Sequence, residues 1–182
     1  MPVQNTRNRK QQGERPENSG QRIIEAFITE YLAGVKHEYK YLKPSIFRKP
    51  PMSLDQFRTE ILLYGLHCLD RVVFDYRGPE YREQFMLGAY SWARGELASS
   101  RPPEHRSALL QRIDDLYNTR QKEYGAWRLP DGVDLQGTLC WQFGRRMCED
   151  AQVYNPAVVM TLSYTARGIY ETMVALVEHT AV

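Results

Sequence analysis

The chain has 182 residues, with 24 Lys+Arg against 22 Asp+Glu, 42% hydrophobic residues and 12% aromatic residues. That length buries a single-domain core without disulfides, and the composition is too aromatic and too evenly charged for a disordered chain. The net charge of +2 is unevenly placed: residues 1–51 hold 10 basic and 5 acidic groups, and residues 52–182 hold 14 and 17.

Residues 1–19 carry Arg7, Arg9, Lys10 and Arg15 and have only Met1 and Val3 as apolar side chains. They predict a flexible basic tail and no secretory leader. From Gln21 onward, Ile23, Ile24, Phe27, Ile28, Tyr31, Leu32 and Val35 recur at helical spacing, with Asn18 and Gln21 as a capping pair. This first helix ends near Leu42, because Pro44 disfavours helical angles at Lys43. Residues 43–52 contain three prolines and read as a connector.

Ser53 and Gln56 form a capping box ahead of a second helix that reaches about Tyr76. Gly78-Pro79 ends it and begins a third, which runs to about Ser99. After Pro102-Pro103 a fourth helix directs Leu109, Leu110, Ile113, Leu116, Tyr117 and Tyr124 inward. Residues 128–134 form a turn around Asp131-Gly132. A fifth helix covers roughly Leu135 to Gln152, and Asn155-Pro156 opens a sixth with the cleanest apolar stripe in the chain. No segment alternates with period two. The expected fold is therefore all-α: a flexible tail over 1–19 and a single domain over 20–182, a mostly antiparallel bundle of about six helices.

Phosphate-loop, dinucleotide, zincin, nucleophile-elbow and EF-hand signatures are all missing, as is any apolar run of spanning length. No cofactor and no membrane partner is expected. Cys68, Cys140 and Cys148 form no CxxC pair and lie in apolar helical patterns, which predicts buried free thiols and a reducing cytoplasm.

Gly88 and Gly95 lie seven apart on the third helix, and Gly137 and Gly144 seven apart on the fifth. Interior glycine costs about 1 kcal/mol relative to alanine, so close approach of another helix or of a subunit is the expected compensation. On the second helix Glu60, Tyr64, His67 and Arg71 share a narrow stripe flanked by Asp70. Three arrangements would use it: a solvated face, a buried polar network, or metal-ligating or acid–base groups. The metal reading needs ligands from other helices, and His37, His105 and His179 do not repeat the pattern. Lys36, Tyr39, Lys40, Tyr41, Lys43, Arg48 and Lys49 interleave cations with aromatics and form a candidate interaction segment, for a protein partner or for nucleic acid. The adjacent Arg145-Arg146 and Glu149-Asp150 predict internal i,i+4 pairs.

These features favour a non-enzymatic interaction or regulatory module that self-associates through small-residue helix faces. The alternatives are a helical-bundle enzyme or metal protein using Glu60, His67 and Asp70, and a nucleic-acid binder using the basic N-terminal segment.

Overall fold

A computed structural model describes residues 14–42, 51–99 and 102–180, and the expectations for residues 1–13 lie outside them. The chain opens with α1 (Pro16–Ala26), continues without a break into a π-helical turn (Phe27–Leu32), and closes this segment with α2 (Lys36–Tyr39) and a 3-10 turn (Lys40–Leu42). Then come α3 (Leu54–Arg77), α4 (Pro79–Ser99), α5 (Pro103–Gly125), α6 (Leu139–Asp150) and α7 (Pro156–His179). The fold is all-α, and the only β pairing among the described residues is an isolated bridge between Arg128 and Thr138.

Helix starts follow the punctuation of the sequence. Ser53 and Gln56 make both bonds of the capping box, the Ser53 N–H reaching Gln56 Oε1 at 2.7 Å and the Gln56 N–H reaching Ser53 Oγ at 3.1 Å. Asn155 Oδ1 accepts from the Ala157 N–H at 2.9 Å, and Pro156 fills the first position of α7. Two boundaries differ from expectation. The first helix starts at Pro16 rather than near Gln21, with Glu17 in its first turn, because proline is preorganised there and a carboxylate favours the positive end of the dipole. Asn18 is therefore inside the helix and caps nothing. Thr138, not Leu135, begins α6: its Oγ1 accepts the Trp141 N–H at 3.4 Å.

The same first segment is not one helix. Its hydrogen bonding widens at Phe27–Leu32 and breaks at Ala33–Val35. Tyr31 sits on this π turn, stacks on Phe27 at 5.2 Å and donates to the Thr165 carbonyl at 3.4 Å.

One contiguous apolar core runs from Ile23 to Val177. Its axis is α3, where every residue from Glu60 to Asp70 is buried, so the helix is enclosed on all sides. Two seams bring backbones into direct contact. A Cβ on Gly20 would lie 2.0 Å from the Phe85 carbonyl oxygen, and one on Gly88 would lie 2.0 Å from that of Glu17. Each helix thus supplies a glycine to the other, and the crossed register makes α1 and α4 antiparallel. A Cβ on Gly144 would lie 2.5 Å from the Val159 carbonyl oxygen, so α6 and α7 close in the same way. The turn between them leaves Gln152 left-handed at φ 55°, with its own N–H on the Glu149 carbonyl and the Val153 N–H on that of Cys148.

The other two glycines do not serve as packing surfaces. Gly95 would meet nothing within 4 Å, and Gly137 lies outside any helix, in a turn at φ 70°. The four therefore split, because seven-residue spacing identifies a shared face only where the helix extends over both positions and a neighbour covers them. Gly88 and Gly144 are consumed inside the fold and are not offered to another subunit.

No described helix is long and apolar enough to cross a membrane.

Candidate functional site

The polar stripe of α3 faces α5. Glu60 and Arg120 are 6% and 4% exposed and form a bidentate pair at 2.6 and 2.7 Å. Arg120 also donates to Glu123 at 2.9 Å, Glu123 accepts from Arg146 of α6 at 3.1 Å, and Arg146 reaches Asp150 at 2.8 Å. Charges of alternating sign therefore run from α3 across α5 to α6. Bonding to the Glu60 carboxylate holds the Arg120 guanidinium pKa up, so the guanidinium stays charged.

Further along α3, Asp70 takes two bonds from Arg82 of α4, at 2.8 and 2.7 Å. Arg71 donates to the Trp127 carbonyl at 2.7 Å. Tyr64 is fully buried, with its hydroxyl 3.4 Å from Cys140 Sγ and its ring 4.5 Å from Phe143. Burial pushes the Tyr64 hydroxyl well above its usual range, and the Cys68 and Cys140 thiols upward, so this cluster offers no thiolate. All three cysteines are buried and free.

His67 is 3% exposed and sits 2.7 Å, through Nδ1, from Gln121 Oε1. His67 Nε2 and Gln121 Nε2 are both buried without a hydrogen-bond partner. Burial, the largest influence, lowers the His67 pKa below its ordinary 6.5. The Tyr124 ring lies 5.6 Å from the imidazole, and its hydroxyl is likewise buried without a partner.

The stripe is thus not a solvated face. Glu60, Tyr64, His67 and Asp70 are buried and Arg71 is half-buried, because α3 runs through the middle of the bundle. Of the three arrangements open to it, the internal network is the one present. The Glu60 carboxylate is engaged bidentate by a buried arginine, and among the described residues no group of three His, Cys, Asp or Glu side chains could hold a metal ion.

The interaction segment is divided. Lys36, Lys40 and Tyr41 are exposed, and Tyr41 leans on His37 at 5.7 Å. Tyr39 is buried: its hydroxyl donates to the Met52 carbonyl at 2.6 Å and its ring packs on Phe57 at 5.8 Å, so it belongs to the core. Lys43, Arg48 and Lys49 lie outside the described residues. The pairs Arg145–Glu149 at 3.0 Å and Arg146–Asp150 at 2.8 Å are present on α6 as expected.

Two surfaces escaped the sequence reading. At the α6–α7 turn, Trp141, Cys148, Val153, Tyr154 and Val159 line an apolar hollow of about 360 Å³. Tyr154, one of its lining residues, is 86% exposed, and Tyr164 of α7 is 55% exposed. Met160 and Tyr164 stand four apart on α7 and off its buried stripe, which is the signal that marked this face. A wider cleft of about 1320 Å³ opens between the π turn, the first turns of α3, the end of α4 and the first half of α5. No linear pattern marks it, since its lining comes from five separate stretches of chain.

No protein-family model, no curated protein and no solved structure matches this chain.

Proposed function

We propose that the chain is a non-enzymatic protein-interaction module that self-associates through the turn-end of α6 and α7. The observation that carries this reading is the exposed Tyr154 at an apolar hollow that it lines with Trp141 and Val159, with Met160 and Tyr164 also exposed on α7. Tyrosine and tryptophan supply large contact areas at low entropic cost and dominate binding energy at interfaces. A second copy fits the face because a projecting aromatic and an apolar hollow lie side by side on one surface, as a twofold contact requires. The charges fit as well: Arg145 and Glu149 border the hollow, each about half exposed, and opposite signs one turn apart can exchange partners across a twofold axis. Against catalysis stands the internal pairing of Glu60, Asp70, His67 and Arg71. The three buried free thiols support a reducing, cytoplasmic setting.

The test is sedimentation of the full chain and of Tyr154→Glu with Tyr164→Glu over a range of concentrations. A dimer that the double variant converts to a folded monomer is expected. A wild-type chain that stays monomeric, or a double variant that stays dimeric, overturns the reading.

A further inference from the structure

The large cleft shares no lining residue with the α6–α7 hollow and serves no part of the reading above. We propose that it is a docking groove for a basic amphipathic helix of a partner protein. Its floor is aliphatic, built from Ile28, Leu32, Leu62, Leu97, Leu109 and Leu116. Carboxylates border it at Asp55, Glu96 and Asp115, against the two cations Arg58 and Arg112. The remaining carboxylates, Glu60 and Asp150, are neutralised by Arg120 and Arg146. The rim is therefore net acidic around an apolar centre, the layout of a protein interface with a dry core and a polar edge.

Size and wall chemistry decide the kind of occupant. At about 1320 Å³ the cleft exceeds the roughly 1,000 Å³ upper end of small-ligand pockets, which favours a segment of chain. The helices that frame it have their backbone groups satisfied internally, so no sheet edge is offered for strand addition. Among the described residues none that lines it is aromatic, whereas a polyproline segment docks on aromatic rings. A phosphorylated motif needs a cluster of arginines and would be repelled by the acidic rim. Helix-in-groove recognition remains, with leucine-like anchors at i, i+3, i+4 and i+7 on the floor and Lys or Arg on the flanks.

The first half of α5 is joined to α4 through Asp114 and Tyr117 and leaves its cleft-facing side sparsely covered. Among residues 103–119 only Ile113 is buried, while Leu109 and Leu116 are half-buried at the cleft. The opposite wall is the π turn, and interruptions of this kind recur at functional sites because they re-aim side chains.

The experiment titrates the full chain into three labelled peptides by fluorescence anisotropy. One is a Leu/Lys amphipathic helix, the second has Glu in place of every Lys, and the third has the Leu/Lys composition with its leucines spread around the helix. The amphipathic basic peptide is expected to bind, and the other two at least about tenfold more weakly. Glu96→Lys with Asp115→Lys, both at exposed positions, is expected to weaken binding about tenfold with an unchanged melting temperature. The Tyr154→Glu chain is expected to bind as the wild type does, which separates this groove from the self-association face. Absence of binding, equal binding of all three peptides, or indifference to the charge reversal overturns the proposal.

Discussion

The α1–α4 and α6–α7 seams and the attachment of α5 are two ways of joining helices in one bundle. At the seams, glycines bring backbones into contact, and the adhesion comes from close packing of small and apolar groups. Helix α5 has 23 residues of which only Ile113, Arg120 and Tyr124 are buried. It is held instead by polar clamps: Arg120 on Glu60, Gln121 on His67, and Asp114 receiving both Arg94 and Tyr90. The seams should therefore respond to added volume and the α5 clamps to changes of charge.

The largest effect is expected at the buried clamp. Arg120→Met leaves Glu60 as an unpaired buried carboxylate and should cost about 3–5 kcal/mol in chemical denaturation. Adding Glu60→Met should restore most of that loss, since an apolar pair removes both desolvated charges. If the double variant is as unstable as the single, the clamp does more than cancel its own charges.

At the seams, Gly88→Ala should cost about 1–3 kcal/mol, because the new methyl meets the Glu17 backbone, which no rotamer change can move aside. Glu60→Gln should leave this seam unaffected. A Gly88→Ala chain as stable as the wild type would show that α1 does not pack here.

Acid should loosen the clamp selectively. The pKa of His67 is lowered by burial, so the unfolded chain binds its proton more readily than the folded one. Stability should then fall as pH drops below the ordinary histidine value of 6.5 and through the lower folded value. In His67→Gln the decline between about pH 7 and pH 5 should be shallower, measured by thermal melts across that range. Identical slopes would remove His67 as the cause.

The smallest effect has the opposite sign. Gly95→Ala, in the interior of the same helix as Gly88 but with open space around it, should stabilise the chain by about 0.5–1 kcal/mol. A loss there would mean that something covers this face in solution.

Much of the helical layout was readable in the linear chain because it rests on local chemistry. Ser53 with Gln56, Pro79, Pro103 and Asn155-Pro156 mark helix starts through bonds and torsions that involve only a few neighbouring residues. The start at Pro16 carried the same kind of signal, but the polar residues after it concealed that α1 begins before its apolar stripe. The break at Ala33–Val35 carried only Gly34 as a local signal, while the apolar spacing continues across it.

The candidate site was legible only as a direction. A helical wheel places Glu60, Tyr64, His67 and Arg71 on one stripe, but their partners Arg120, Cys140, Gln121 and the Trp127 carbonyl lie 54 to 76 residues away. No local pattern contains that distance. The glycines show the same limit, for Gly88 and Gly95 share a helix while only Gly88 has a neighbour against it.

By itself, then, the sequence determined an all-α chain, its principal helix starts and its buried thiols, since each follows from torsional preference, capping or the period of apolar residues. Tertiary structure alone decided that α3 would be enclosed, that its charges would be spent on α5 and α4, and that an apolar face and an acidic cleft would stay open. Those outcomes depend on which side chains meet across long loops, and burial is a property of the assembled neighbours, not of the residue.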